Sequence, residues 1–254
     1  MEQEEQVIRS RLQKLIEKME RLGYNDYMRK RAEERVNELR QRGVCGVDKF
    51  VQKLIDRVND KEAYLDILME GRFAVILARN KFSKIFIEYG EEGPDLKADY
   101  NRRTVYFEVT RRRPSGDEWA EQPEASFASA DKAENIISRI QEKIRQLQSG
   151  QTNIVVIWSD TINLLPPDLK EAFEYIKQEI IDDPEKYKNL SGVLFTEGGG
   201  VDVATLKQFY LFKNDDASKP LCPRLSKKLE SLHERNLKQL QREMEELVAA
   251  FKKM

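Results

Sequence analysis

Histidine occurs once and cysteine twice in this sequence of 254 residues. Cys45 and Cys222 each stand alone, with no CxxC pair, so the ligand spacing of a structural zinc site is missing. With His233 as the sole imidazole, on a charged C-terminal stretch, Ser-His-Asp and Cys-His nucleophiles are excluded as well. Such sparse cysteine fits a reducing cytoplasm. The opening MEQEEQVIRS has neither a basic n-region nor an apolar run, so no signal peptide is expected and the location read from the sequence is cytoplasmic. Apolar runs reach only about six residues, far short of a membrane span. Charge of one sign is missing too: 44 basic residues face 45 acidic ones, so net charge does not point to nucleic acid. Only 12 Gly and 8 Pro with 40% hydrophobic residues describe a globular chain. The one excess is charge of both signs, at 35%, which suits long exposed helices or a thermophilic source.

What is present begins with helices. Ile8, Leu12, Leu15, Met19 and Leu22 step by 4, 3, 4 and 3, the seam of a coiled-coil-like helix ended by Gly23. Asn25 and Asp26 can cap a second helix through Val36 and Leu39 to Gly43. A third begins near Asp48 with Phe50, Val51, Leu54 and Val58. The C-terminal stretch mirrors the first seam with His233, Leu237, Leu240, Met244, Leu247 and Phe251. Two such stripes invite pairing with each other or across a homodimer.

The middle of the chain alternates. Residues 61–79 read as a helix with Ala63, Ile67, Ala74 and Leu77 on one face. Strands follow at 84–89, 95–100 and 104–110, with Asn101-Arg102 as a tight turn. A loop over 114–130 carries Trp119 and Phe127. A helix over 131–148 has Ile136, Ile137, Ile140, Ile144 and Leu147 as its stripe. NIVVIW (153–158) is apolar throughout, as in a strand buried on both faces. Pro166-Pro167 opens another helix to about Ile181. GVLF (192–195) and FYLF (209–212) are short strands around a glycine-rich turn. That turn, EGGGVDVATL, lacks the Gly-Lys-Ser/Thr of a phosphate loop. The expected fold is α/β: a mixed sheet flanked by helices over 60–215, a helical region at 1–59, and a long C-terminal helix within 216–254. The helix between the third and fourth strands allows a right-handed crossover and a parallel pair.

Chemistry concentrates in GPDLKADYNRRTVYFEVTRRR, Gly93 to Arg113. Strand alternation puts Tyr106, Glu108 and Thr110 on one face and Val105, Phe107, Val109 and Arg111 on the other. Glu108 in a strand that otherwise reads as core needs a cation, a donor or solvent. A hairpin turning around 101–103 brings Asp95 near it, roughly level with Thr110. Two close carboxylates repel unless a cation lies between them. Hard divalent ions such as Mg²⁺ or Mn²⁺ take oxygen ligands, a geometry suited to phosphoryl transfer. Glu70, among the apolar positions of its helix, either caps something or joins the same site.

Helix with Glu70, strand, strand opening with Pro94-Asp95, strand carrying Glu108-Val109-Thr110, helix, buried strand: this order resembles the PD-(D/E)XK nuclease superfamily, the restriction-endonuclease-like fold. The resemblance covers about residues 60–160, extending toward the strands at 213, and leaves the helical ends outside. It implies a Mg²⁺-dependent endonuclease acting on DNA, with Asp95 and Glu108 as metal ligands and Glu70 as an auxiliary one. The family's lysine, which orients the attacking water, falls on Thr110, whose hydroxyl carries no charge. Three arrangements fit this departure. A lysine has moved in sequence but not in space, with Lys143 first and Lys132 second as candidates and Arg111 on the wrong face. Or the site binds metal or nucleic acid without cutting. Or Thr110 makes a structural hydrogen bond and the carboxylates are scaffolding.

Taken singly, each residue has an ordinary reading. Asp95 after Pro94 suits a turn, Glu108 an exposed sheet face, Glu70 an ion pair with Arg72 or Lys81, and Lys143 a solvated helix. Arg102, Arg103, Arg111, Arg112 and Arg113 bracket the strand and could bind phosphates. Residues 95–150 nevertheless hold ten basic and ten acidic side chains, so a charged rim fits equally. Trp119 could stack on a base or pack under its loop. The competing functions are a non-catalytic binding module that kept the fold and a helical assembly protein.

Overall fold

The computed structural model describes residues 2–87, 93–112, 130–159, 166–197 and 209–232. Helix α1 (Glu2–Arg21) lays Ile8, Leu15 and Met19 against α3 (Val47–Arg57) of the same chain. This stripe is used within the chain. Leu22, expected at its end, is exposed because the helix stops at Arg21, where Gly23 takes φ 78° and Tyr24 N–H closes on Met19 O at 3.0 Å. Helix α2 (Asp26–Gln41) starts at Asn25, whose side chain accepts from Met28 N–H. Its counterpart α4 (Lys61–Arg79) is capped by Asp60. The buried set on α4 is wider than one stripe: Tyr64, Phe73, Val75 and Ile76 are covered along with Ile67, Ala74 and Leu77. The helix touches the sheet on one side and α2 and α3 on the other.

Six strands form one sheet in chain order: β1 (Ser83–Ile87), β2 (Leu96–Tyr100), β3 (Arg103–Arg112), β4 (Asn153–Ser159), β5 (Gly192–Glu197) and β6 (Phe209–Lys213). The first three are antiparallel, β3, β4 and β5 parallel, and β6 antiparallel to β5. Helix α5 (Ala130–Ile144) makes the β3-to-β4 crossover. It ends four residues before the expected 148, because Gln146 and Leu147 tighten onto Lys143 O and Ile144 O. Helices α6 (Pro166–Asp182) and α7 (Pro184–Tyr187) share its layer, and α8 (Pro223–Glu230) closes the described chain. The C-terminal stripe from His233 lies outside the described residues.

The sheet separates two cores, and β4, β5 and β6 supply both. Phe107, Val109, Ile154, Val156 and Trp158 pack with α1–α4 and α8. Val155, Ile157, Val193 and Phe195 pack with α5–α7. All of β4 is buried, as its unbroken apolar run requires. Helices α1–α3 therefore share a core with the sheet. Among the described residues no helix is long and apolar enough to cross a membrane.

Candidate active site

The β2–β3 hairpin turns at Asn101 and Arg102, both with positive φ (50° and 64°), a two-residue primed turn. Register follows from that length: Tyr100 faces Arg103 and Leu96 faces Phe107. Asp95 thus falls beside Glu108, not level with Thr110, because the turn holds two residues where a longer one would shift the pairing. Beyond this point β3 continues, paired only with β4. Asp95 Oδ2 takes the Val109 N–H at 2.8 Å, in place of a strand partner.

Glu108 points toward α5, and it is buried. Across from it, Lys143 occupies the last turn of α5, one residue from the Ile140/Ile144 stripe. Its ammonium donates to Glu108 Oε2 at 3.0 Å, to Asp95 Oδ2 at 3.3 Å and to Gln146 Oε1 at 2.9 Å. The negative end of the α5 dipole favours a cation there. Thr110 is half-buried on the same side of β3 as Glu108 and opposite Ile157 of β4. The ammonium at these carboxylates comes from α5, and Thr110 carries no charge.

A second ammonium was not anticipated. Lys53 of α3 donates to both oxygens of Glu70, at 2.9 and 3.0 Å, and lies 3.8 Å from Asp95 Oδ1. Glu70 is buried and pairs here with Lys53. Arg72 lies over the Trp158 ring, 4.7 Å from its centroid. Lys53 sits at the edge of an ordinary amphipathic stripe, and Gln146 just beyond a helix end; neither position carries a sequence signal.

Three carboxylates and two ammoniums therefore meet where β2 begins. Burial, then the charge of Asp95, pushes the Glu108 carboxyl up to about 7 against the opposing pull of Lys143. For Lys143, burial pulls downward, but Asp95 and Glu108 outweigh it and hold the ammonium above its ordinary range.

The arginines divide. Arg102 and Arg103 are exposed at the hairpin turn. Arg111 and Arg112 are buried, which corrects their expected role on phosphates. Arg111 is held by Glu62 and, at 2.9 Å, by Asp66, both of α4. Arg113, Trp119, Phe127 and the side chain of Lys132 lie outside the described residues.

Would these residues suit a hard divalent ion? Among the described residues no three carboxylate, imidazole or thiolate groups are gathered closely enough to hold a metal. The three-ligand set of Glu70, Asp95 and Glu108 is not assembled, because Lys53 stands between Glu70 and Asp95. The Asp95–Glu108 pair does fit one. Lys143 occupies one oxygen of each, Oδ2 and Oε2. Glu108 Oε1 is buried with no hydrogen-bond partner, an orphaned acceptor that a cation would satisfy. Set against family models, curated proteins and solved structures, the chain finds no match in any of the three.

Proposed function

We propose that this chain is a Mg²⁺- or Mn²⁺-dependent phosphodiesterase that cleaves nucleic acid, DNA in preference, in the manner of the PD-(D/E)XK nucleases it resembles. One observation carries the reading: the Lys143 ammonium bridges Asp95 and Glu108, the place a motif lysine at position 110 would serve. Asp95 and Glu108 would hold the ion. When bound, the ion supplies Lewis-acid polarisation of the phosphate and of a coordinated water. Lys143 orients the attacking water by hydrogen bonding and offsets the negative charge gathering on the phosphate oxygens. Val109 N–H and Gln146 fix Asp95 and Lys143 so that these groups need not reorganise.

The test is incubation of the full chain with plasmid, single-stranded DNA and RNA in millimolar Mg²⁺ or Mn²⁺. Cleavage is expected with at least one substrate and is abolished by a chelator, by Asp95→Asn and by Glu108→Gln. Absence of cleavage on all three, or cleavage surviving Asp95→Asn, overturns the reading.

A second reading has its own observation. Both ammoniums already pair with the carboxylates, and among the described residues no three acidic groups stand close enough together to hold a metal. That charge balance suits a fold kept for binding nucleic acid without cutting it. It predicts affinity with a steep salt slope and no cleavage under any metal.

A further inference from the structure

We infer that Lys53 is a built-in competitor of the divalent cation: its ammonium stands at Asp95 Oδ1, and the cation must displace it to bind. The inference rests on the phosphodiesterase reading and adds a control on it. It starts from the unequal footing of the two lysines. Lys143 donates to Asp95 just before β2, to Glu108 on β3 and to Gln146 just past its own helix, and its side chain is 15% exposed. Lys53 donates to both oxygens of Glu70, lies 3.8 Å from Asp95, and is 32% exposed. The flexible four-carbon stem of lysine and that opening toward solvent let Lys53 leave where Lys143 stays.

The oxygens point the same way. Asp95 Oδ2 is committed to Val109 N–H and Lys143, and Glu108 Oε2 to Lys143. That leaves Asp95 Oδ1 and the orphaned Glu108 Oε1 to receive an ion. Lys53 is the cation standing at the first of them. A divalent ion bound at Asp95 beside both lysines would crowd its charge against two ammoniums. Like charges crowded into a partly buried site repel strongly, so the lysine and the ion exclude each other at Asp95. Without the ion, Lys53 keeps Glu70 and Asp95 from confronting each other unpaired. With the ion bound, the freed ammonium stands beside the site, where an incoming phosphate diester would meet it.

The experiment is calorimetric titration of Mn²⁺ into the metal-stripped full chain, with circular dichroism to check folding. It compares wild type, Lys53→Met, Lys53→Arg, and each of these combined with Asp95→Asn. Lys53→Met is expected to tighten Mn²⁺ binding by about tenfold, since it removes the competing charge. Lys53→Arg, which keeps the charge, is expected to bind within about threefold of wild type. In the Asp95→Asn background the difference should vanish. If Lys53→Met does not fold, Lys53→Gln gives the same reading. Equal or weaker Mn²⁺ binding by folded Lys53→Met overturns the inference and leaves the phosphodiesterase reading standing. Failure of every variant, wild type included, to take up Mn²⁺ overturns both.

Discussion

The Lys143 ammonium lies 3.0 Å from Glu108 Oε2, although 35 residues separate the two in the chain. Lys143→Met should lower the cleavage rate by about 100-fold, the usual loss for one positioned donor at a charge-developing site. Thr110→Ala should leave it within about threefold, since the hydroxyl carries no charge into the site. The revealing variant is the double one: Thr110→Lys with Lys143→Met restores an ammonium from the strand, on the same side as Glu108. Partial recovery of cleavage over Lys143→Met alone is the expected result, measured as initial rates at saturating Mn²⁺.

Glu108 makes the fold pH-sensitive, and the sign is fixed by its direction of shift. Its folded carboxyl titrates near 7 against an ordinary 4.5. The stability it contributes is complete below the ordinary value and is lost as pH rises through about 7, where a buried carboxyl must ionise. Metal-free protein should melt at a higher temperature at about pH 5 than at about pH 8, and Glu108→Gln should flatten that slope. Mn²⁺ affinity should run the opposite way, rising through about pH 7, because the ligand must lose its proton. Thermal melts and titrations across that range check both.

How much of this was legible in the sequence follows from what each pattern encodes. Alternation along TVYFEVT placed Glu108 and Arg111 on opposite faces, and the structure agrees. The Ile140/Ile144 stripe put Lys143 at the margin of a core-facing helix, enough to aim it at the sheet. Residue-by-residue register was less secure: one residue more or less in the turn moves Asp95 along β3. Lys53 was illegible. Its helix belongs to a region that reads as an appendage, and only tertiary packing brings α3 against α4. Arg112 was misread for a related reason. A run of three arginines suggests a solvated cluster, while burial depends on what lies over the strand.

Gly71 marks a close approach of α4 to α3 and α2. A Cβ there would meet Phe50 Cζ at 2.6 Å and Arg35 Cγ at 3.3 Å. Gly71→Ala gains about 1 kcal/mol of helix propensity, but overpacking costs about 1–3 kcal/mol. A net loss of about 1 kcal/mol is expected in urea unfolding, because Phe50 is wholly buried and cannot swing aside. The substitution also pushes α3 away from α4, so it should weaken the effect of Lys53 on Mn²⁺ affinity.

The two sets of arginines should separate experimentally. Arg111→Ala removes a buried cation from Glu62 and Asp66, and a loss of about 2 kcal/mol is expected, moderated because both acids reach solvent. Arg102→Ala and Arg103→Ala sit on an exposed turn and should leave stability within about 0.5 kcal/mol. If that turn touches nucleic acid, each should reduce the salt slope of binding by about one. Urea melts and salt-dependent anisotropy titrations distinguish these outcomes.

Asp95 is approached by ammoniums from both helical layers, Lys53 from α3 on one side and Lys143 from α5 on the other. A protein trimmed at residue 60 would therefore lose a charge from the Asp95–Glu108 cluster along with its first three helices. The bare flanks of α4 would be wetted, and Glu70 would lose the Lys53 ammonium. Shortening this chain from the front is chemically equivalent to mutating its middle.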